Sequence, residues 1–176
     1  MKIGIVIGTR PEVMKNYAIV QALRAAEVDF VVLHTNQHQD PLLREAICSQ
    51  MGYAPDFIFP QSYSIGAAID WVCDLIHLLQ IDLILVNGDT AASIIGAIAA
   101  VYSDVGLVHV EAGLRAFDNC MYEERNRIMV DSAAHYLFTY TQHHAQYLNK
   151  IPDLRGRIFN VGNTTIDLVQ DFSAEL

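Results

Sequence analysis

The segment Lys2-Ile3-Gly4-Ile5-Val6-Ile7-Gly8-Thr9-Arg10-Pro11 opens the chain and is the clearest indication of its fold. A short, largely β-branched run ends at a glycine, and a proline follows three residues later. This pattern is typical of a buried strand that leads into a helix, because proline is favoured in the first turn of a helix. Similar apolar runs recur along the chain and predict further strands over 30–34, 57–59, 83–86, 107–110, 137–139 and 158–161.

Helical segments separate these predicted strands. The clearest begins at Ser64, where seven apolar residues fall on one stripe at three- and four-residue steps: Ile65, Ala68, Ile69, Val72, Leu75, Ile76 and Leu79. Other helices are predicted over 13–26, 42–51, 123–136 and 143–149, after Thr90, and from Thr165 onward. Strands that alternate with helices predict a doubly wound α/β fold, a parallel sheet covered on both faces. Without a repeat or an internal linker, residues 1–176 are expected to form a single domain.

Composition and charge exclude several classes of protein. The chain has 176 residues, 52% hydrophobic and 18% charged, which is typical of a globular protein. Its longest apolar stretch, Ile94 to Val101, is far shorter than the roughly 20 residues that cross a bilayer. No secretory cleavage site follows Met1, so we expect a cytoplasmic protein. The net charge of −9 without a run of lysine or arginine argues against nucleic acid as a partner. Cys48, Cys73 and Cys120 are widely spaced, which favours reduced thiols.

Polar segments follow five of the predicted strands. In open parallel sheets, ligands bind at the carboxyl ends of the strands. We therefore expect these segments to converge on one edge of the sheet: residues 8–12, 35–38, 87–90, 111–115 and 162–165.

Several acidic residues lie in or near these segments. Asp89 and Glu111 end neighbouring strands, and Glu123 and Glu124 open the next helix. Carboxylates that share a cleft raise one another's pKa values, which suits proton transfer near neutral pH. The alternative is structural: Asp89 would cap a helix, and the two glutamates would favour a helix N-terminus. Spacing alone leaves both interpretations open.

A few basic residues are candidates for binding an anionic ligand. Arg10, Lys15, Arg115 and Arg127 are suited to receive phosphate, or they are solvated surface cations. Arg10 is the best candidate, because backbone N–H groups at a strand-to-helix turn also point outward toward an anion. The seven histidines show no metal-binding spacing; a structural or surface role is favoured for all except His38, for which a ligand role stays open.

Together these segments resemble the N-terminal domain of the non-hydrolysing UDP-N-acetylglucosamine 2-epimerases. They occur in the order and spacing of that family over nearly the whole chain. The Pro11-Glu12 pair is similar to the non-hydrolysing branch, since hydrolysing relatives usually carry Ala-Asp-Tyr after Gly-Thr-Arg. The matching pieces are Gly8-Thr9-Arg10-Pro11-Glu12 with Lys15, Gln37-His38, Asn87-Gly88-Asp89-Thr90, His109-Val110-Glu111-Ala112-Gly113-Leu114-Arg115, Glu123-Glu124-Arg125-Asn126-Arg127, and Gly162-Asn163-Thr164-Thr165-Ile166-Asp167.

The resemblance implies a Rossmann-like half of a two-domain GT-B architecture and an isomerase. Such an enzyme interconverts UDP-GlcNAc and UDP-ManNAc by eliminating UDP and adding it back. The resemblance assigns Asp89, Glu111 and Glu123 as acid/base residues. It places Arg10, Lys15 and Arg127, with Arg115 and His38, near the nucleotide or sugar. It implies no metal or nicotinamide cofactor, a homodimer, and a place in cell-envelope polysaccharide biosynthesis.

Two departures from the family pattern bear on activity. Tyr122 stands where the family usually has proline, and the chain ends at Leu176, before the family's second, UDP-binding domain. We therefore expect the isolated chain to have little or no epimerase activity. The alternatives are a non-catalytic dimerising or regulatory module and a GT-B glycosyltransferase. A nicotinamide-binding domain is disfavoured, because no G-x-G-x-x-G motif follows the first strand.

Overall fold

The computed structural model describes residues 1–37, 40–62 and 64–173, which contain one seven-stranded sheet. All neighbouring strands pair in parallel. The strands are β1 (Lys2–Ile7), β2 (Asp29–His34), β3 (Phe57–Ile58), β4 (Leu83–Asn87), β5 (Gly106–Val110), β6 (Tyr136–Thr139) and β7 (Arg157–Asn160). Their order across the sheet is β3-β2-β1-β4-β5-β6-β7. The predicted doubly wound α/β fold is therefore confirmed.

Helices connect the strands and cover both faces of the sheet. They are α1 (Arg10–Lys15), α2 (Tyr17–Ala25), α3 (Pro41–Met51), α4 (Ile65–Leu79), α5 (Ala91–Tyr102), α6 (Tyr122–Ala133), α7 (Gln142–Leu148) and α8 (Thr164–Ser173). Within the described residues, no helix combines the length and the apolar character that crossing a membrane requires.

Two predicted helices differ from the structure by more than one residue at an end. The helix predicted over 13–26 begins at Arg10 and is divided into α1 and α2 at Asn16, a turn residue that ends the first helix and precedes the second. The helix predicted over 123–136 ends at Ala133, because Tyr136 belongs to β6 and pairs with Val108 and Arg157. Pairing between distant strands, which periodicity along the chain does not report, decides this second boundary.

Alternate residues of the central strands enter two separate cores. Ile3, Ile5 and Ile7 of β1 pack on the side of α1, α2, α3 and α8, while Val6 packs on the side of α4, α5 and α6. Both faces are thus buried, as expected for a parallel sheet. Helix α5 packs tightly against the sheet at Gly96, where an added Cβ would stand 2.5 Å from Cγ1 of Val86.

The strand order reverses direction between β1 and β4. Connections from β1 lead toward β2 on one side, and connections from β4 lead toward β5 on the other. Such a switch point leaves a crevice between the carboxyl ends of the two strands, where α/β proteins commonly bind ligands. The segments 8–12 and 88–90 border this crevice.

Candidate active site

Glu111 follows the last residue of β5 and occupies the centre of a polar cluster. Its φ of +73° lies in the left-handed region, which is uncommon for a residue other than glycine. Its Oε2 lies 2.5 Å from Nζ of Lys15 and accepts a hydrogen bond of 3.3 Å from the hydroxyl of Tyr140. The side chain is 7% exposed. Three elements that are distant in sequence thus meet at one carboxylate.

Asp89 joins this cluster through helix α6. Its carboxylate forms an ion pair with Nη2 of Arg127, and the same nitrogen lies 4.0 Å from Oε1 of Glu111. Asn126 donates a 2.8 Å hydrogen bond to the backbone carbonyl of Asp89. The N-cap residue of α5 is Thr90 and not Asp89. The side chain of Asp89 contacts Arg127 of α6 instead. Lys15, Asp89, Glu111 and Arg127 therefore lie together at the carboxyl edge of the sheet.

Glu12 fills the crevice at the switch point. Its Oε2 accepts hydrogen bonds from the backbone N–H groups of Gly8 and Thr9, both at 2.8 Å, and from the Thr9 hydroxyl at 2.9 Å. The Thr90 hydroxyl donates to Oε1 at 2.6 Å. Burial raises the pKa of Glu12, although these hydrogen bonds oppose the rise. The turn was expected to offer its N–H groups to an anion; that expectation is wrong for Gly8 and Thr9, because Glu12 accepts both.

Arg115 is enclosed by protein groups. Its side chain is 3% exposed, and Nη2 lies 2.7 Å from Oδ2 of Asp131. Nη1 donates to the carbonyl of Leu114, and the guanidinium lies 5.0 Å from the ring centroid of Tyr147. The interpretation of Arg115 as a solvated surface cation is therefore wrong.

Arg10 and Glu123 are exposed, in contrast to the buried cluster. Arg10 lines a cleft of about 450 Å³ at the carboxyl end of β2, together with Arg44 of α3. Glu123 lies in the first turn of α6, four residues before Arg127, and i,i+4 spacing places both on one side of the helix. Among the described residues, no hydrogen bond or ion pair joins Glu123 to the cluster. His38 lies outside the described residues.

Glu124, one of the clustered carboxylates of the sequence, is buried near the site. Three further polar residues there were not proposed from the sequence: His109 and Asp131, which are buried, and Tyr140, which is half-buried. Glu124 accepts from the backbone N–H of Ala116 at 2.8 Å. The Nδ1 atom of His109 lies 2.6 Å from Oδ1 of Asp131. Two features of the sequence could have indicated these residues. One is a histidine within the apolar run 107–110, and the other is the spacing of Glu124, Arg127 and Asp131 along one helix.

The surroundings of Asp131 favour the ionised form of its carboxyl group. Burial alone raises the pKa of Asp131, but the hydrogen bond and charge of His109 and the guanidinium of Arg115 outweigh it, so the pKa is lowered. Within the part of the chain that the structure describes, no group of three or more histidine, cysteine or acidic side chains is arranged to hold a metal ion. The arrangement offers carboxylates that can exchange a proton and cations that can bind an anion.

Comparison with known proteins gives a consistent family. A family model described as UDP-N-acetylglucosamine 2-epimerase matches residues 21–176. The UDP-N-acetylglucosamine 2-epimerase of Methanocaldococcus jannaschii is 33% identical over 177 residues, a match that covers 95% of this chain and 47% of that protein. Its crystal structure in complex with UDP-GlcNAc and UDP matches with a TM-score of 0.90 at 32% identity, covering 97% of this chain and 49% of that one.

A glycosyltransferase from Streptomyces sp. SF2575, SsfS6, matches with a TM-score of 0.52 at 11% identity over 78% of this chain and 49% of that one, and this likeness shows the fold alone. The chain spans about half the length of the curated relatives it matches. The matched family model, the identity to the archaeal enzyme and the agreement of the folds lead to one conclusion: this chain belongs to the UDP-N-acetylglucosamine 2-epimerase family.

Proposed function

We propose that this chain provides the N-terminal, Rossmann-like domain, residues 1–176, of an isomerase that interconverts UDP-GlcNAc and UDP-ManNAc. The observation that carries the proposal is the placement of Glu111 between Lys15 and Arg127, beside Asp89, at the carboxyl edge of the sheet. Family membership and the complex of the archaeal relative with UDP-GlcNAc and UDP support it.

The proposed reaction proceeds by elimination and re-addition. A carboxylate removes the C2 proton while the bond between C1 and the diphosphate oxygen breaks, which gives 2-acetamidoglucal and UDP. The diphosphate oxygen then adds back to C1, and a second acid protonates C2 on the opposite face. Both steps need a base placed at C2 and cations at the departing diphosphate. We assign Asp89, Glu111 and Glu123 to proton transfer.

We assign Arg10, Lys15 and Arg127 to the diphosphate and sugar, with His38. The cleft of about 450 Å³ that Arg10 and Arg44 line is a suitable place for an anionic group. Lys15 and Arg127 are close enough to Glu111 to stabilise its charge before a proton arrives. Arg115 is proposed to act at a distance, through its ion pair with Asp131.

The direct test is hydrogen–deuterium exchange at C2 of UDP-GlcNAc, coupled to UDP release. We expect little exchange with the 176-residue chain alone, because the cluster lies at one edge of the sheet and cannot by itself surround a nucleotide sugar. Adding the second half of a full-length relative in trans should give exchange. Glu111→Gln should reduce the rate by about 100-fold or more, whereas Glu45→Gln on the surface of α3 should not. Unchanged exchange in Glu111→Gln would contradict the acid/base assignment.

A second candidate function, a dimerising or regulatory module, is favoured by one surface. Helices α5 and α6 expose Val101, Tyr102 and Met129, which are 54%, 83% and 52% accessible, around a small apolar groove. We propose that two copies of the chain associate through this surface. Self-association is compatible with catalysis, so the exchange assay above separates a purely structural module from an enzyme.

The three free thiols are typical of a reducing compartment, and we propose the cytoplasm.

Light scattering tests the proposed homodimer. Met129→Lys should produce a monomer, because a charge would be buried at the interface. Leu42→Lys is the matched control: Leu42 is 77% exposed on α3, on the other face of the sheet. A wild-type monomer at high concentration, or equal effects of the two substitutions, would contradict this surface.

A further inference from the structure

His109 lies on β5, fully buried on the face of the sheet that packs against α6. Its Nδ1 is 2.6 Å from Oδ1 of Asp131, and its Nε2 is 2.9 Å from the backbone carbonyl oxygen of Gly88. A carbonyl and an ionised carboxylate only accept hydrogen bonds, and a neutral imidazole has only one N–H. Both contacts are therefore hydrogen bonds only when His109 carries a hydrogen on each ring nitrogen.

The charges around the site support this protonation. Asp131 connects to Arg115, whose Nε lies 4.0 Å from Glu124, and Glu124 lies 3.9 Å from Arg127. Arg127 then joins the cluster at Glu111. This buried or half-buried network contains four carboxylates, Asp89, Glu111, Glu124 and Asp131, and three basic side chains, Lys15, Arg115 and Arg127. An uncompensated buried charge is strongly unfavourable. A charged His109 gives every carboxylate a cationic counterpart.

The Gly88 carbonyl connects His109 to the reacting groups. Gly88 has a φ of +78° and directly precedes Asp89. Its N–H donates a 3.0 Å hydrogen bond to the carbonyl of Val110, the residue before Glu111. His109 thus holds the other side of the turn that sets the position of Asp89 relative to Glu111.

We propose that His109 is a positioning residue of the proton-transfer site: as an imidazolium held by Asp131, it binds the Gly88 carbonyl and fixes the turn that carries Asp89. The consequence for catalysis rests on the proposed function. The protonation of His109 and its hold on Gly88 do not, and they can be measured in the chain without substrate.

Protonation is tested by long-range ¹⁵N–¹H correlation spectra of the wild-type chain. We expect both ring nitrogens of His109 to carry hydrogen at neutral pH, because each of them lies within hydrogen-bond distance of an oxygen that only accepts. A His109 with one bare ring nitrogen at neutral pH would overturn the imidazolium.

Two substitutions separate the contacts of the ring. In His109→Gln, the side-chain amide nitrogen reaches the position of Nε2 and keeps the hydrogen bond to the Gly88 carbonyl. In His109→Asn, the side-chain amide nitrogen reaches the position of Nδ1 and keeps only the hydrogen bond to Asp131. We expect the backbone amide signal of Asp89 to stay near its wild-type shift in the glutamine variant and to move in the asparagine variant. Equal signals in the two variants would contradict a hold on Gly88.

Kinetics then tests the consequence for catalysis, in the protein assembled for the exchange assay. His109→Asn should lower kcat by about tenfold or more with KM changed by less than about threefold, because a misplaced catalytic group impairs the transition state more than substrate binding. His109→Gln should retain more of kcat. A wild-type protein without exchange would contradict the proposed function, while the spectra would still decide the role of His109. Equal kcat in both variants would overturn the positioning role.

Discussion

At the scale of single residues, Glu12 belongs to the turn that was expected to bind substrate, but its carboxylate forms hydrogen bonds within the protein instead. Its carboxylate links the turn after β1 to Thr90, at the start of α5, and thus closes the crevice of the switch point from within. The motif Gly-Thr-Arg-Pro-Glu was correctly located at the site edge, but its backbone donors face Glu12. The sequence alone does not show which acceptor a given backbone N–H group will bind.

Substitutions of Glu12 should separate its hydrogen bonds from its charge. Glu12→Ala should lower the free energy of unfolding by about 3 kcal/mol, since buried donors lose their acceptor. Glu12→Gln should cost less, because the Thr90 hydroxyl can accept from the new amide. Denaturant unfolding monitored by circular dichroism measures both.

The pH dependence of the glutamine variant has a definite sign. The folded-state pKa of Glu12 is raised above 4.5, so its contribution to stability is complete below that value and is lost as pH rises through the folded pKa. Glutamine does not titrate. The stability of Glu12→Gln relative to wild type should therefore increase as the pH rises above about 4.5. A constant difference across the range would show that the carboxyl group keeps its ordinary pKa.

Tyr140 is a second residue with a testable role. Burial, and then the charge of Glu111, raise the pKa of Tyr140, so its hydroxyl remains a donor to Glu111 at neutral pH. Tyr140→Phe should slow C2 exchange by about tenfold, the equivalent of one hydrogen bond to a charged group. Tyr136→Phe, at the first residue of β6, is the matched control, and an equal effect of the two substitutions would argue against the contact with Glu111.

At the scale of elements, glycines at two helix positions have opposite surroundings. Gly96 lies where α5 meets the sheet, and an added Cβ would meet Val86 at 2.5 Å and Val6 at 3.2 Å. Gly66, in the first turn of α4, has no atom within 4 Å of such a Cβ. The helices themselves were predicted from periodicity, but the distance between a helix and the sheet was not.

Alanine substitutions test this difference. Gly96→Ala should lower the unfolding free energy by about 2 kcal/mol through overpacking. Gly66→Ala should raise it by up to about 1 kcal/mol, because alanine has the higher helix propensity. Thermal or denaturant unfolding of the two variants measures the effects, and a stabilising Gly96→Ala would show that α5 can move away from β4.

The bounds of strands and helices show the same difference between what periodicity predicts and what tertiary contacts decide. The strands over 83–86 and 107–110 were predicted closely, because buried parallel strands are short apolar runs. The end of α6 was predicted wrongly, because residues 134–136 continue a helix-compatible pattern although Tyr136 pairs with its neighbours in the sheet.

At the scale of the whole molecule, the sheet has a stable centre and weak edges. Strands β1, β4 and β5 are paired on both sides and enter both cores, while β3 has two residues and β7 is largely exposed. Amides of β1, β4 and β5 should exchange with solvent most slowly, near the rate set by global unfolding, and those of β3 and β7 faster. Hydrogen exchange followed by NMR measures this. Uniform protection of all seven strands would contradict the difference.

The sequence by itself determined the fold class, the order of the elements and the family, because hydrophobic periodicity and the motifs at strand ends are local properties. It also indicated that Asp89 and Glu111 lie at one edge of the sheet. Only the tertiary structure decided their partners: Arg127 for Asp89, Lys15 and Tyr140 for Glu111, and His109 for the Gly88 carbonyl. The physical reason is that ion pairs and hydrogen bonds depend on distances of a few ångströms between side chains that are far apart in the chain, and these distances are set only when both faces of the sheet are packed.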